Sequence, residues 1–426
     1  MNKKFKLMLT VLVMGSCWSI VYLIPFIQYV FYDPFREMLG ATNAQLGVLM
    51  TIYGIGNLYG CPLGGWIADR FNYKKLYMGS VLFNGILGLI FVSNPTYSFA
   101  LVMWVGFSIT SLVMNYPAHI KIIRNLVSDE DQGKIFGFNE TAVGIGNIVF
   151  NVIMMFLFNH FLQGVEGLRA AIIGLSILSI LLTVAAYFVI DDPAESHVMV
   201  DNKKEVAPKL GAPEYLEILK SPSTWLIALS IFSIYSFLVT MSYFTPYFTE
   251  VLGATVTFSG IVAILRTYVM TLVGAPIGGL LSDKIKSPSK VLLGANAVGI
   301  VCLVVLLNLS SSTTVYTLIA LTLFMALMIY IGRGSYYAVI SELNVSKART
   351  ASTIGIAAAL GFSPDMFQFL LFGNWLDTYG QAGYKYMFIY QIVVLAIGVG
   401  TAIMVLKLKK KQNNTANGVK AESVTV

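Results

Sequence analysis

Two arginines lie inside long apolar stretches of the chain, where charged side chains are rare. Arg266 precedes Thr267 and Tyr268, and Arg333 lies in the tyrosine-rich string YIGRGSYY. A guanidinium presents a planar fork of N–H donors that matches a carboxylate or a phosphate. Because an ionisable group in apolar surroundings is costly and usually functional, the two arginines predict an anion-binding site. The alternative is that each arginine forms a structural ion pair with an internal carboxylate.

Two carboxylates also interrupt apolar stretches. Glu140 lies in FGFNETAVG, and Asp365 follows Pro364, a helix-breaking residue, in GFSPDMFQF. A carboxylate in apolar surroundings holds its proton tightly and can take one up when its partner cation is occupied by an anion. For Glu140 we therefore keep open proton coupling and a structural ion pair, and for Asp365 proton or substrate handling and a structural role.

Further aromatic and amide side chains could complete such a site. They are Tyr22, Tyr29, Tyr53 and Asn57 in the first half of the chain, and Tyr336 and Tyr337 beside Arg333. The seven-residue spacing predicts that the first two share one helix face, and the four-residue spacing predicts the same for the next two. The alternative role of each is a hydrogen bond between helices.

The elements that carry these residues are predicted from hydropathy. The chain has 426 residues, is 57% hydrophobic and only 12% charged, whereas a soluble domain carries about 25% charged residues. Apolar runs of about 20 residues, the length that crosses a ~30 Å hydrocarbon core, must be helices because lipid cannot satisfy open strand edges. We place twelve of them, at 7–32, 45–68, 75–92, 97–120, 135–158, 167–190, 223–248, 257–282, 289–309, 313–340, 350–372 and 384–406.

The loops predict the topology. Lys and Arg concentrate in the loops that follow even-numbered spans and at the two ends, which predicts that both termini are cytoplasmic. The net charge of +7 is therefore a topology signal and indicates no nucleic-acid partner. The polar stretch 191–222 divides the spans six and six, and its segment PEYLEILK predicts either a short helix or an ordinary turn. The predicted parts are a bundle over 1–190, a cytoplasmic linker over 191–222, a second bundle over 223–406 and a disordered basic tail over 407–426.

The two halves repeat each other. GCPLGGWIADR at 60–70 returns as GAPIGGLLSDK at 274–284, and EMLGAT at 37–42 returns as EVLGAT at 250–255. Each copy keeps its place relative to the first two spans of its half. Parallel repeats of this kind are typical of carriers whose binding site lies between the halves.

Glycines in the second span predict close helix packing. Gly56, Gly60 and Gly64 recur every four residues, so they lie on one face that another helix can approach closely. A phosphate-binding loop is excluded because the P-loop pattern is absent and these glycines lie inside an apolar span.

The string GGWIADRFNYKK resembles the signature loop of the major facilitator superfamily of transporters. The matching positions are Gly65, Asp69, Arg70 and Lys74 in the first copy and Gly279, Asp283 and Lys284 in the second. Asn72 replaces a usual glycine, and Tyr73 replaces a usual cation. The resemblance implies an all-α membrane protein with twelve transmembrane helices in two pseudo-symmetric six-helix bundles. It also implies that Gly65, Asp69, Arg70, Asp283 and Lys284 take part in gating by alternating access. The alternative is a polar turn that only anchors a helix end.

The resemblance extends to the candidate site. Carriers of this superfamily that resemble the oxalate/formate and nitrate carriers place an arginine on the eighth span, where Arg266 lies. We expect a secondary transporter of a small organic anion, such as a carboxylate or a sugar acid, that is coupled to protons or exchanges a counter-ion. We expect a functional monomer in the lipid bilayer of the inner membrane. The alternatives are a transporter-like solute sensor and a carrier of neutral sugars or drugs.

Other functional classes find no support in the sequence. The chain has three histidines and neither an HExxH nor a GxSxG string, so we predict no enzyme activity. The three cysteines fall in predicted spans without metal-ligand spacing, so we predict neither a metal nor a cofactor. The fifth span lacks the glycine-proline string usual in drug/proton antiporters of the superfamily, which makes multidrug export less favoured.

Overall fold

The computed structural model describes residues 3–128, 131–191, 212–309, 314–343, 345 and 347–424. Within these ranges the chain forms α-helices with short 3₁₀ and π segments, and no strand occurs in them. The helices are α1 Lys3–Leu23, α2 Tyr32–Leu39, α3 Asn43–Arg70, α4 Tyr73–Ser93, α5 Tyr97–Ser108, α6 Tyr116–Asn125, α7 Gln132–His160, α8 Gly164–Val189, α9 Ala212–Lys220, α10 Pro222–Ser242, α11 Phe244–Glu250, α12 Val256–Ile264, α13 Met270–Ile285, α14 Pro288–Leu307, α15 Val315–Arg333, α16 Lys347–Gly361, α17 Pro364–Tyr379 and α18 Ala382–Val424. Two π segments, Ile109–Asn115 and Leu265–Val269, continue α5 into α6 and α12 into α13. Two 3₁₀ segments, Ile27–Tyr29 and Tyr336–Glu342, follow α1 and α15.

The predicted spans are present as helices. Among the described residues, 11 helical stretches are long and apolar enough to cross a membrane. The 28-residue helix α3 occupies the place of the remaining predicted span. The all-α membrane fold with twelve spans is therefore confirmed.

The first span ends earlier than predicted. The predicted span runs over 7–32, but α1 ends at Leu23 and a separate 3₁₀ turn covers Ile27–Tyr29. Pro25 explains the break, because proline lacks an N–H donor and disfavours helical geometry in the residue before it. The prediction that Tyr22 and Tyr29 share one helix face is therefore wrong.

Two later predictions about helix ends have opposite outcomes. The break expected at Pro364 is confirmed, because α16 ends at Gly361 and α17 begins at Pro364. The disordered tail over 407–426 is a misprediction, because α18 continues to Val424. Lys, Gln and Ala favour helix, and this segment contains no proline.

The linker is helical where the structure describes it. The segment PEYLEILK lies in α9, so the helix alternative holds and the turn alternative fails. The earlier part of the linker, 192–211, lies outside the described residues.

The repeated EMLGAT and EVLGAT blocks have the same local structure. Gly40 and Gly253 both adopt the left-handed conformation, with φ of 57° and 65°. Two residues later, the Thr42 and Thr255 hydroxyls accept a backbone N–H and cap α3 and α12. A left-handed glycine followed by a hydroxyl N-cap turns the chain from one helix into the next. The repeat is therefore confirmed at this point of both halves.

The helices form two compact units that differ from the two predicted halves. The first unit contains Met1–Lys203, Ser242–Val269 and Asp365–Gly383, and the second contains Lys204–Met241, Met270–Pro364 and Tyr384–Val426. Two segments that follow the predicted linker thus pack with the N-terminal helices. The two-bundle boundaries stay a prediction.

Small residues set the helix packing in the first unit. A Cβ on Gly56 would lie 2.9 Å from Ser108 Cβ, and a Cβ on Gly60 would lie 2.9 Å from Leu112 Cβ. A Cβ on Gly64 would lie 2.5 Å from the backbone carbonyl oxygen of Val113, in the π segment Ile109–Asn115. The predicted close approach at these glycines is therefore confirmed.

In the second unit α13 packs on α15 in the same way. A Cβ on Gly274 would lie 2.6 Å from Tyr330 Cβ, and one on Gly278 would overlap the carbonyl oxygen of Ile331. Gly334, just after α15, approaches the carbonyl oxygen of Ala275 too closely for any side chain.

Candidate functional site

Arg266 lies in the π segment between α12 and α13. Its side chain is only 1% exposed, and its Nη2 donates a hydrogen bond of 2.9 Å to Thr245 Oγ1. Its guanidinium carbon lies 5.9 Å from the centroid of the Phe244 ring. A π segment inserts an extra residue into a helical turn and is frequent at functional sites, because it re-aims the side chains that follow.

Thr245 links Arg266 to the first half of the chain. Its hydroxyl accepts the bond from Arg266 and donates one of 2.7 Å to the carbonyl oxygen of Tyr29. Its own carbonyl oxygen accepts a bond of 2.7 Å from Ser259 Oγ. Tyr29 is buried and stacks with Phe369 at a centroid distance of 6.2 Å. The Thr245 hydroxyl therefore bridges the Arg266 guanidinium and the backbone carbonyl of Tyr29.

A second π segment, Ile109–Asn115, gathers two of the predicted tyrosines. Tyr53 hydroxyl lies 2.7 Å from Ser111 Oγ, and Tyr22 hydroxyl donates a bond of 3.3 Å to the Ser111 carbonyl oxygen. Ser111 is fully buried and was missed in the sequence, where a lone serine in an apolar run gives no signal. Asn57 lies four residues after Tyr53 on the continuous helix α3, so the shared face predicted for these two is confirmed.

Asp365 lies against α3 in the same unit. Its side chain is 3% exposed in the first turn of α17. A Cβ on Gly54 would lie 2.8 Å from Asp365 Cβ, so the two backbones approach closely beside Tyr53. Asp365 is therefore a buried carboxylate, as the sequence predicts.

Glu140, by contrast, is not buried as the sequence predicts. Its side chain is exposed on α7, whereas the neighbouring Asn139 is buried and its Oδ1 lies 3.1 Å from His119 Nε2. His119 is itself fully buried between Tyr77 and Asn139. The helix turns its amide inward and its carboxylate outward, so the buried position predicted for Glu140 is wrong. Its part in proton coupling stays a prediction.

Arg333 is not buried either. It is the last residue of α15, and its side chain is exposed, while Tyr336 is buried in the following 3₁₀ turn. Gly334 is the C-cap of α15, and it approaches the carbonyl oxygen of Ala275 on α13 too closely for any side chain. The Tyr336 and Tyr337 rings lie 4.6 Å apart, with Tyr337 partly exposed. The burial predicted for Arg333 is therefore wrong, although Arg333 lies within the apolar helical stretch Val315–Glu342 as predicted; its role as a ligand stays a prediction.

No group of three or more His, Cys, Asp or Glu side chains that could hold a metal ion occurs among the residues that the structure describes.

Comparisons with known proteins fit this arrangement. The family model described as Major Facilitator Superfamily matches residues 7–367. The chain belongs to the major facilitator superfamily. The inner membrane protein YihN of Escherichia coli (strain K12) is 31% identical over 375 residues, which is 87% of this chain and 89% of that protein.

Two solved structures share the fold. The chain has a TM-score of 0.73 and 17% identity to a bacterial homolog of the human lysosomal transporter Spinster, covering 96% of this chain and 98% of that one. It has a TM-score of 0.66 and 20% identity to a D-xylose-proton symporter, covering 95% of this chain and 96% of that one. The family and the apolar helices together make this major facilitator protein a multi-pass membrane transporter.

The signature loop of this major facilitator protein is partly described. Arg70 is exposed, and its guanidinium lies 4.1 Å from the centroid of the Trp66 ring, while the Asp69 side chain lies outside the described residues. Gly65 has open space where a side chain would lie. In the second copy, Asp283 and Lys284 are exposed, and Gly279 also faces open space. The gating role of these residues stays a prediction.

A set of contacts in the first unit was not foreseen. The Asp377 carboxylate on α17 accepts the backbone N–H groups of Asn43 and Ala44 at 2.9 and 2.8 Å and so caps α3. Arg36 Nη1 lies 3.1 Å from Glu250 Oε1. These contacts tie the ends of α2 and α3 to α11 and α17 on the side predicted to face outside. The partners lie more than 200 residues apart in sequence, so only the repeated EMLGAT and EVLGAT blocks hinted at them.

Asp33 is a partly buried acid within these contacts, with a side chain that is 23% exposed. Its Oδ2 accepts a hydrogen bond from the Thr249 hydroxyl, and Arg36 Nη2 lies 3.7 Å from its Oδ1. Burial raises the pKa of Asp33 above its ordinary value of 3.8, the Thr249 bond lowers it, Glu250 raises it and Arg36 lowers it. Burial is the largest of these effects, so the net direction is upward.

Proposed function

We propose that the protein is a secondary active transporter of a small organic anion, a carboxylate or a sugar acid, with Arg266 as the anion ligand. The observation that supports it is the burial of the Arg266 guanidinium beside the Thr245 hydroxyl and the Phe244 ring. Removing a guanidinium from water costs several kcal/mol, roughly, unless an anion and hydrogen bonds offset it. A carboxylate ligand would supply both through the planar fork.

The surroundings of Arg266 suit a small polar anion. The Thr245 hydroxyl joins the Arg266 guanidinium to the backbone carbonyl oxygen of Tyr29, and the Phe244 ring lies 5.9 Å from the guanidinium carbon. A hydroxyl group and an aromatic ring beside one charged residue are typical of small-molecule sites, in which few polar groups set the orientation. Arg333 is assigned a lesser part, because its side chain is exposed and an exposed ion pair contributes only about 0–1 kcal/mol.

Asp365 is the proposed proton-coupling residue. Moving one negative charge inward against a negative-inside potential costs about 2.3 kcal/mol per 100 mV. A proton taken up with a monoanion cancels that charge, so the pH gradient alone can drive uptake. The buried Asp365 carboxylate is the acid in the first unit best placed for this step, since its charged form is poorly solvated.

The test is uptake of labelled solutes into proteoliposomes, after a thermal-shift screen of acids paired with their neutral counterparts. We expect one acid, and not its neutral counterpart, to stabilise and be taken up by the wild type. Arg266→Gln should abolish both effects. The matched control is Arg169→Gln, whose guanidinium is partly exposed beside Glu166 at 3.7 Å, and it should leave both unchanged.

Other outcomes select the alternatives. Uptake of the neutral counterpart at the same rate by wild type and Arg266→Gln would show a carrier of neutral solutes. Binding of an acid without any flux would show a solute sensor. Asp365→Asn should retain anion exchange and lose acceleration by an inward pH gradient; unchanged acceleration would remove Asp365 from the mechanism.

A further inference from the structure

A cavity of about 380 Å³ lies between the first turn of α4 and the end of α8. Lys74 and Lys75 line it from α4, and Tyr187, Phe188 and Asp191 line it from α8 and the residues that follow. All of these residues belong to the first unit. The anion site around Arg266 uses none of them.

The cavity carries a net positive charge. Its one carboxylate, Asp191, already lies 2.6 Å from the ammonium group of Lys6. Lys74 Nζ lies 5.1 Å from the centroid of the Tyr187 ring, which steadies a cation without neutralising it. Lys75 is exposed next to it. Two ammonium groups at one opening favour an anion with several oxygen atoms.

The aromatic side chains indicate where that anion comes from. Tyr187 and Phe188 are 57% and 77% exposed at the end of a membrane-spanning helix. Tyrosines at span ends lie at the level of the lipid headgroups. The same end of α4 and α8 is predicted to be cytoplasmic from the loop charges, and basic pockets between helices on that side suit anionic headgroups. A soluble anion would gain nothing from the exposed Phe188.

We propose that this cavity binds the phosphate group of an anionic phospholipid in the inner leaflet. Lys74 and Lys75 contact the phosphate oxygens. Tyr187 and Phe188 pack against the glycerol and the first methylene groups. The bound lipid then joins the start of α4 to the end of α8.

The experiment uses the purified full-length protein in detergent, with the affinity for phosphatidylglycerol measured by native mass spectrometry. Wild type should retain phosphatidylglycerol over phosphatidylcholine. The double variant Lys74→Gln/Lys75→Gln should bind phosphatidylglycerol roughly thirty-fold more weakly, the size expected for two lysines at an anionic surface. Lys74→Arg/Lys75→Arg should restore binding, which separates loss of charge from loss of fold.

The control is Lys290→Gln, in the first turn of α14, the third span of the second half; Lys290 is exposed, and binding should be unchanged. Equal retention by the double Gln variant and wild type would overturn the proposal. So would equal binding of phosphatidylcholine, since the charge would then not be recognised. If inorganic phosphate protects against heating as well as phosphatidylglycerol does, the cavity takes a soluble anion and the lipid assignment is wrong.

Discussion

Arg266 and Arg333 look alike in the sequence and differ in the structure. Both lie in apolar runs beside tyrosines, yet Arg266 is buried in a π segment and Arg333 is exposed at the end of α15. The difference comes from the backbone around each residue. At Arg266 the helix continues into α13, and the extra residue of the π turn points the side chain inward. Arg333 is the last residue of α15, and the next residue, Gly334, packs closely against α13.

Depth along a span is therefore a poor guide to burial. Arg333 lies within an apolar window and is nevertheless exposed at the end of its helix. A buried hydrogen-bond partner is a better guide to burial of an arginine, and Arg266 has one in the Thr245 hydroxyl at 2.9 Å. The predictions below test whether this contrast in burial is also a contrast in function.

The largest effect should separate the two arginines. Removing one partner of a buried charged interaction costs about 2–5 kcal/mol, whereas an exposed ion pair contributes about 0–1 kcal/mol. Arg266→Gln should therefore lower the initial rate of anion uptake by roughly 100-fold or more, and Arg333→Gln by less than about 5-fold. The measurement is uptake into proteoliposomes at matched protein content. A larger loss of uptake rate in Arg333→Gln than in Arg266→Gln would contradict the prediction.

The packing that sets the position of Arg333 can be tested with two adjacent glycines. A Cβ on Gly278 would overlap the Ile331 carbonyl oxygen, while Gly279 faces open space. Gly278→Ala should lower the free energy of unfolding by about 1–3 kcal/mol through overpacking. Gly279→Ala, the control, should be neutral or gain up to about 1 kcal/mol from helix propensity. Thermal unfolding in detergent measures both, and equal midpoints for the two variants would mean that α13 and α15 do not pack as described.

Much of the fold could be predicted from the sequence, because hydropathy and proline act locally. The twelve spans and the break at Pro364 follow from residues within each helix. The early end of α1 was also encoded, by Pro25, and was overlooked because the apolar run continues past it.

The candidate site was less predictable, because its geometry depends on distant partners. Whether Asn139 or Glu140 faces inward depends on His119 on another helix. Neither the Arg266–Thr245 bond nor the capping of α3 by Asp377 leaves a local pattern in the sequence. A single sequence contains the residue types of the site but not the pairs they form.

Loss of the Thr245 hydroxyl, which bridges Arg266 and Tyr29, should reduce anion binding by a smaller amount. Thr245→Val removes the group that accepts from Arg266 and donates to Tyr29, and a buried hydrogen bond contributes about 0.5–1.5 kcal/mol, or 1.5–3 kcal/mol for bonds to charged groups. The affinity for the transported anion should fall by about 10-fold. Thr245→Ser keeps the hydroxyl and should bind like wild type. Thr257→Val, which removes an exposed bond to Asn159, is the control. A loss in Thr245→Ser equal to that in Thr245→Val would show that the methyl group, and not the bridge, matters.

The smallest effect concerns pH and the partly buried acid Asp33. Burial raises the pKa of Asp33 in the folded state above its ordinary value of 3.8. A raised pKa means that the proton stabilises the folded contacts. This stabilisation is fully present below 3.8 and is lost as the pH rises through the raised folded value. Wild type should therefore lose thermal stability from acidic toward neutral pH through this residue.

Asp33→Asn tests this dependence, because the amide oxygen can still accept the Thr249 hydroxyl while the charge is gone. The variant should be at least as stable as wild type at neutral pH, and the difference between them should shrink as the pH falls. Glu166→Gln, at a more exposed ion pair with Arg169, should not reproduce that pattern. A difference between wild type and Asp33→Asn that grows on acidification would mean that Arg36 outweighs burial at this acid. In that case the ion pair with Arg36, and not the proton on Asp33, would stabilise the contacts around α2.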